Sequence, residues 1–84
     1  AGRRFGIERE LTIGRSPDNS IVLPDRFVSS HHATVRLRGG EVLLVDEDST
    51  NGTFLNGTRV TGAARLRPGD AFVIGDTTFR LAQE

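Results

Sequence analysis

The chain has no cysteine, so disulfides, thiolate nucleophiles and thiolate metal sites are all excluded, and nothing argues for an oxidising compartment. No apolar run approaches the ~20 residues that a membrane helix needs. No signal-type leader is visible, so the expectation is a cytoplasmic chain. Lysine is missing too: all 11 basic residues are arginine, for which the bland cause is a GC-rich genome. Methionine is absent, even at position 1, and residues 1–84 are therefore expected to be one domain cut from a longer protein. An excess of charge is lacking as well. The 11 arginines face 11 acidic residues, which argues against nucleic acid or an anionic membrane surface as partner, since either needs a clustered basic excess. A chain of 84 residues supports one thin core, burying roughly 60–65% of the surface of its unfolded form.

Helical periodicity is absent, and period-2 alternation recurs. In H-A-T-V-R-L-R (32–38), Ala33, Val35 and Leu37 share one face, while A-F-V-I (71–74) and T-F-R-L (78–81) repeat the pattern with β-branched and aromatic residues. Strands are predicted at 3–8, 10–14, 21–23, 32–38, 41–46, 53–55, 58–60, 71–74 and 77–82. Turn signals separate them, and such short, evenly spaced strands predict an all-β sandwich or barrel. Gly39-Gly40, Asn56-Gly57 and Gly75-Asp76 each read as a tight hairpin. A second Asn-Gly pair, Asn51-Gly52, lies only a few residues before Asn56-Gly57 and cannot be another simple hairpin. It belongs to a longer loop, and loops at one end of a rigid scaffold are where binding residues concentrate.

Three loops hold nearly all the small polar residues: I-G-R-S-P-D-N-S (13–20), F-V-S-S-H-H-A (27–33) and D-S-T-N-G-T (48–53). Together they supply one guanidinium, several hydroxyls and an amide, the donor set suited to an oxyanion.

The ordered motifs G-R-S (14–16), V-S-S-H-H-A (28–33), D-E-D-S-T-N-G-T-F-L-N-G (46–57), L-R-P-G-D (66–70) and I-G (74–75) resemble those of the forkhead-associated (FHA) domain over almost the whole chain. The resemblance implies a β-sandwich of two mainly antiparallel twisted sheets that binds phosphothreonine peptides through loops at one end, without catalysis and without a cofactor. It implies that Arg15 contacts the phosphate, that Ser29 donates a hydroxyl to it, and that Ser30 and Thr50 add donors. Asn51 would be held out to read the main chain of the bound peptide. Gly14, His32, Gly52 and Asn56 would be structural: His32 props the second loop, Gly52 bends the third, and Asn56 ties the loops together. The implied partner is a threonine-phosphorylated protein, such as a Ser/Thr kinase or its substrate. Phe27 and Gly75-Asp76 fall where the family reads residues after the phosphothreonine. These motif spellings look bacterial.

Two departures stand out. Many family members carry Arg where this chain has Ser30, which removes one charge from the pocket. A-G-R-R-F-G-I (1–7) resembles the family's second strand, so the first is expected to be missing, leaving an exposed edge open to self-association.

Blander and rival readings are Arg15 as a solvated strand end, and Ser29 and Ser30 as ordinary turn hydroxyls. His31-His32 as a metal site is disfavoured, because strand neighbours point to opposite faces and there is no other His and no Cys to complete a site. A hydrolase built from Ser30, His32 and Asp46 or Asp48 lacks a nucleophile elbow. A phosphate-independent scaffold working through the open edge is the stronger rival.

Overall fold

The alternation in residues 32–38 becomes a strand over Ala33–Arg38, with Ala33 and Val35 buried in the core between the sheets. The computed structural model describes residues 3–82. Among them the strands are β1 (Glu10–Gly14), β2 (Ile21–Val22), β3 (Ala33–Arg38), β4 (Glu41–Asp46), β5 (Thr53–Leu55), β6 (Thr58–Arg59), β7 (Ala63–Leu66), β8 (Ala71–Ile74) and β9 (Thr77–Arg80). They form two sheets, one ordered β2-β1-β3-β4-β7 and the other β6-β5-β8-β9. No helix among the described residues is long and apolar enough to cross a membrane.

The core fills the space between the sheets. Ile13, Ala33, Val35 and Leu44 come from the first sheet, Phe72 and Ile74 from the second, and Val28 from a loop. Ile13, Leu44 and Ile74 are essentially sealed from water, each contributing roughly 1.5–3 kcal/mol of apolar burial. Phe72 stacks on Phe79 with ring centroids 5.0 Å apart.

All pairings are antiparallel except β1 with β2, where Ile13 faces Ile21 and Gly14 faces Val22. A parallel neighbour normally demands a long crossover. Here β2 has two residues, so the short loop 15–20 folds back over the end of β1. The start of β3 and the end of β4 reach the same level, because Ala33 pairs with both Ile13 and Asp46. That level is the base of the three polar loops.

The three predicted hairpins all form. Asn56 and Gly57 both take positive φ (47° and 86°), the twist that joins β5 and β6 with a two-residue turn.

One predicted strand does not form, and one strand forms that was not predicted. Residues 3–8 form no strand; Phe5 and Ile7 alternate suitably but find no strand to pair with. Ala1 and Gly2, which open that motif, lie outside the described residues. Conversely, β7 was not foreseen. Its sequence A-A-R-L is poor in β-formers, and pairing with β4, where Leu44 faces Ala64, makes it a strand. The outer edge of β9 pairs with no strand among the described residues. Between the sheets an apolar cleft of about 1100 Å³ runs from Ile13, Ile21 and Leu23, next to the first two polar loops, to Leu37, Val42 and Leu81 at the other end.

Candidate functional site

The first polar loop (15–20) is stitched to the second (23–32) by main-chain bonds. Arg15 N donates to Ser29 O (3.0 Å), Ser16 N to Ser30 O (3.2 Å) and His32 N to Ile13 O (2.9 Å). Gly14 sits beneath this seam, where a Cβ would overlap the Ser30 carbonyl oxygen and crowd the Asn19 amide. Asn19, which the sequence motifs did not single out, is the clamp: its Nδ2 donates to Ser16 O at 2.8 Å and Ser30 O at 2.7 Å. It is buried, and its Oδ1 is left without a protein partner. The signal that could have found it is a long-range one, because Asn in a P-D-N-S stretch reads as an ordinary turn residue.

The second loop is anchored by Val28, 1% exposed, and opens with an Asx turn in which Phe27 N donates to Asp25 Oδ1 (2.8 Å). Phe27 itself projects into solvent at 57% exposure, with the Arg26 guanidinium 5.3 Å above its ring.

His32 joins the second loop to the third. Its ring is wholly buried. Nδ1 accepts the Ser29 N–H at 3.1 Å, and Nε2 donates to Gly52 O at 2.9 Å. Both nitrogens are thereby committed to the backbone, which leaves no imidazole nitrogen to activate Ser30. His31 turns the other way and pairs with Asp18 at 3.1 Å, both groups being largely exposed. Hydrogen bonds from Ser16 and His31 hold the Asp18 carboxyl below its ordinary value.

Asp46 shapes the third loop (47–52). Its carboxylate accepts from Ser49 N (3.1 Å), Ser49 Oγ and Thr53 Oγ1 (2.8 Å). Burial alone would raise its pKa, yet the hydrogen bonds from Ser49 and Thr53 prevail and the carboxyl titrates below its ordinary value. Ser49 Oγ then accepts the Gly52 N–H at 3.1 Å. Gly52 adopts φ +96°, a left-handed bend that a side chain resists.

On this base the exposed donors gather. Thr50 N donates to Ser29 Oγ at 3.1 Å, which fixes the Ser29 hydroxyl and leaves its proton available. Arg15 Nε donates to Val28 O at 3.1 Å, so the guanidinium is steered along the second loop with its terminal nitrogens outward. Ser30 is exposed, and only its carbonyl is held by neighbours. Asn51 is less free than expected: its Nδ2 donates to Phe27 O at 2.7 Å, tying the third loop to the second.

Arg15, Ser29, Ser30, Thr50 and Asn51 thus belong to one interlinked set of loops. Gly14, His32 and Gly52 lie beneath them. Asn56 does not. It sits at the other end of β5, where Nδ2 donates to Asp70 Oδ1 (3.1 Å) and Oδ1 accepts Ala71 N (3.2 Å). It ties two remote turns together rather than the polar loops, because three residues of β5 separate it from Gly52. A guanidinium, hydroxyl protons and an amide held on a stitched backbone can grip an oxyanion.

Comparison with known proteins places these loops in context. The family model described as FHA domain matches residues 11–75. The chain is 40% identical over 74 residues to the FHA domain-containing protein FhaB of Mycobacterium tuberculosis, covering 88% of this chain and 48% of that protein. It is 46% identical over 82 residues to the glycogen accumulation regulator GarA of Mycolicibacterium smegmatis, covering 96% and 50%. The chain therefore spans about half the length of these curated relatives. Among solved structures, it superposes on the FhaA FHA domain, crystallised with the intracellular domain of Rv3910, with a TM-score of 0.84 and 35% identity. That match covers 93% of this chain and 86% of the other. A domain from a study of phosphothreonine-dependent FHA interactions matches with a TM-score of 0.83 and 35% identity, over 92% of this chain and 79% of the other.

Proposed function

Since this chain belongs to the FHA domain family, we propose that it recognises a threonine-phosphorylated segment of a partner protein, and that Arg15, Ser29, Ser30, Thr50 and Asn51 make the contacts. The phosphate carries nearly two negative charges above its second pKa of about 6. In this reading Arg15 supplies the main charge, the three hydroxyl residues donate to the phosphate oxygens, and Asn51 exchanges its bond to Phe27 O for one to the peptide main chain. The observation that carries the reading is the bond from Thr50 N to Ser29 Oγ. It joins two loops far apart in sequence at the hydroxyl the phosphate would meet.

The contact area is small, so affinity is expected in the micromolar range, about −8 kcal/mol. The reading is of binding without turnover, in the cytoplasm, by one domain of a longer polypeptide. The partner class is a Ser/Thr kinase or a kinase substrate. A phosphate-independent scaffold is the second reading, favoured by the unpaired edge of β9. Calorimetric titration with matched phosphothreonine, phosphoserine and unmodified peptides separates the two. Binding of the phosphothreonine peptide alone supports recognition of the phosphate, and equal binding of the unmodified peptide supports the scaffold.

A further inference from the structure

Arg59 lies outside every motif assigned to the loops, on the second sheet. It is the cross-strand neighbour of Phe54, and its side chain runs past that ring toward the third loop. A Cβ built on Gly52 would stand 3.0 Å from Arg59 Nε and 3.2 Å from its Cζ. Gly52 therefore does more than bend the chain: its bare Cα leaves the space in which this guanidinium rests, one residue along the chain from Asn51.

Charge makes the placement informative. Among the described residues the ion pairs join His31 to Asp18, Arg36 to Glu10 and Arg65 to Glu41, and Arg59 belongs to none of them. It is exposed. The start of the third loop is acidic, with Glu47 and Asp48 both exposed, and Glu47 accepts a hydrogen bond from Thr34 Oγ1. Glu47 and Asp48 would repel an acidic residue of a bound peptide at the start of this loop, whereas Arg59 would attract one that passes Gly52. A guanidinium offers a carboxylate two parallel donors.

We propose that Arg59 is a specificity-determining residue that selects an acidic side chain in the bound segment, at the peptide position lying over Gly52. The proposal rests on the phosphopeptide reading above. It adds a cation from the second sheet to a site otherwise built from loops of the first, at the flank rather than at the phosphate.

The test uses one phosphothreonine peptide with glutamine at the three positions on either side, and six derivatives each carrying a single Gln→Glu change. With the wild-type chain, one derivative binds roughly two- to fivefold more tightly than the parent, the range of an exposed ion pair. That preference disappears in Arg59→Gln, survives in part in Arg59→Lys, and fades in 1 M NaCl, where the screening length falls to about 3 Å. Three results overturn the proposal: no position favouring Glu, an undiminished Glu preference in Arg59→Gln, or an equal loss for all seven peptides, which marks a packing role against Phe54. Failure of the wild-type chain to bind the parent phosphopeptide at all removes the underlying reading as well, and is distinguishable from each of these.

Discussion

Replacement of His32 by phenylalanine separates the scaffold of the site from its contacts. The ring is buried and links two loops, through the Ser29 N–H at 3.1 Å and the Gly52 carbonyl at 2.9 Å. Phenylalanine preserves most of the shape and removes both partners, stranding one donor and one acceptor. An unsatisfied buried polar group costs about 1–3 kcal/mol, so the pair costs roughly 2–6 kcal/mol, and recovered apolar burial trims this to roughly 2–4 kcal/mol. A chain of this length has about 4–13 kcal/mol of stability in total, so the variant should fold but marginally. Urea unfolding should show a lower midpoint at unchanged slope, and Tm should fall by roughly 4–8 °C for each kcal/mol lost. Phosphopeptide affinity should fall too, because Ser29 and the Gly52 corner lose their common support. A variant within 0.5 kcal/mol of wild type, about the scatter of innocuous surface changes, would show that the two bonds are not what holds the loops.

Arg15→Ala should cost about 2 kcal/mol or more of phosphopeptide affinity with little change in Tm, since a charged hydrogen bond is lost from an exposed residue; unchanged affinity by calorimetry refutes its role. Asn51→Ala should weaken phosphopeptides of every sequence by a similar factor, because it addresses main chain, and a loss confined to one sequence contradicts that. Binding should weaken as pH falls through about 6, where the phosphate loses its second charge, and a flat profile from pH 7 to 5 argues against dianion recognition. Fold stability responds at lower pH. Asp46 titrates below its ordinary 3.8 in the folded chain, so its contribution is complete above that value and vanishes as pH falls through the folded-state pKa. Asp46→Asn should accordingly flatten the loss of Tm between pH 5 and 3, and an unaltered acid profile would assign the loss to other carboxylates.

Strand positions were legible where alternation coincided with β-forming side chains, as in β3 and β8, and hairpins where Gly39-Gly40, Asn56-Gly57 and Gly75 supplied positive φ. Alternation names a face but not a neighbour, which is why residues 3–8 read as a strand and are not one. Pairing names a strand without alternation, which is why A-A-R-L at 63–66 went unseen. The site was legible as three polar loops through their ordered motifs. Gly14, His32 and Gly52 were legible beneath it through the same motifs, whereas Asn19 was not, because it acts through the carbonyls of Ser16 and Ser30, and the latter is brought near only by folding. Asn56 shows the converse. Its pairing with Gly57 announced a hairpin correctly, while the resemblance had it tie the polar loops together, and the direction of β5 carries it to the other end.

β3 is sealed where it begins beside the polar loops and runs out into solvent at its far end, and the consequence is a gradient of local opening. Water already reaches Leu37 there, which is 39% exposed, whereas Ile13 and Ile74 are at 1% and 0%. Amide exchange should therefore be fast along β9 and slow in β1 and β4. Fraying should begin at the end away from the polar loops, so the proposed phosphopeptide-binding end can stay rigid while the rest of the domain breathes.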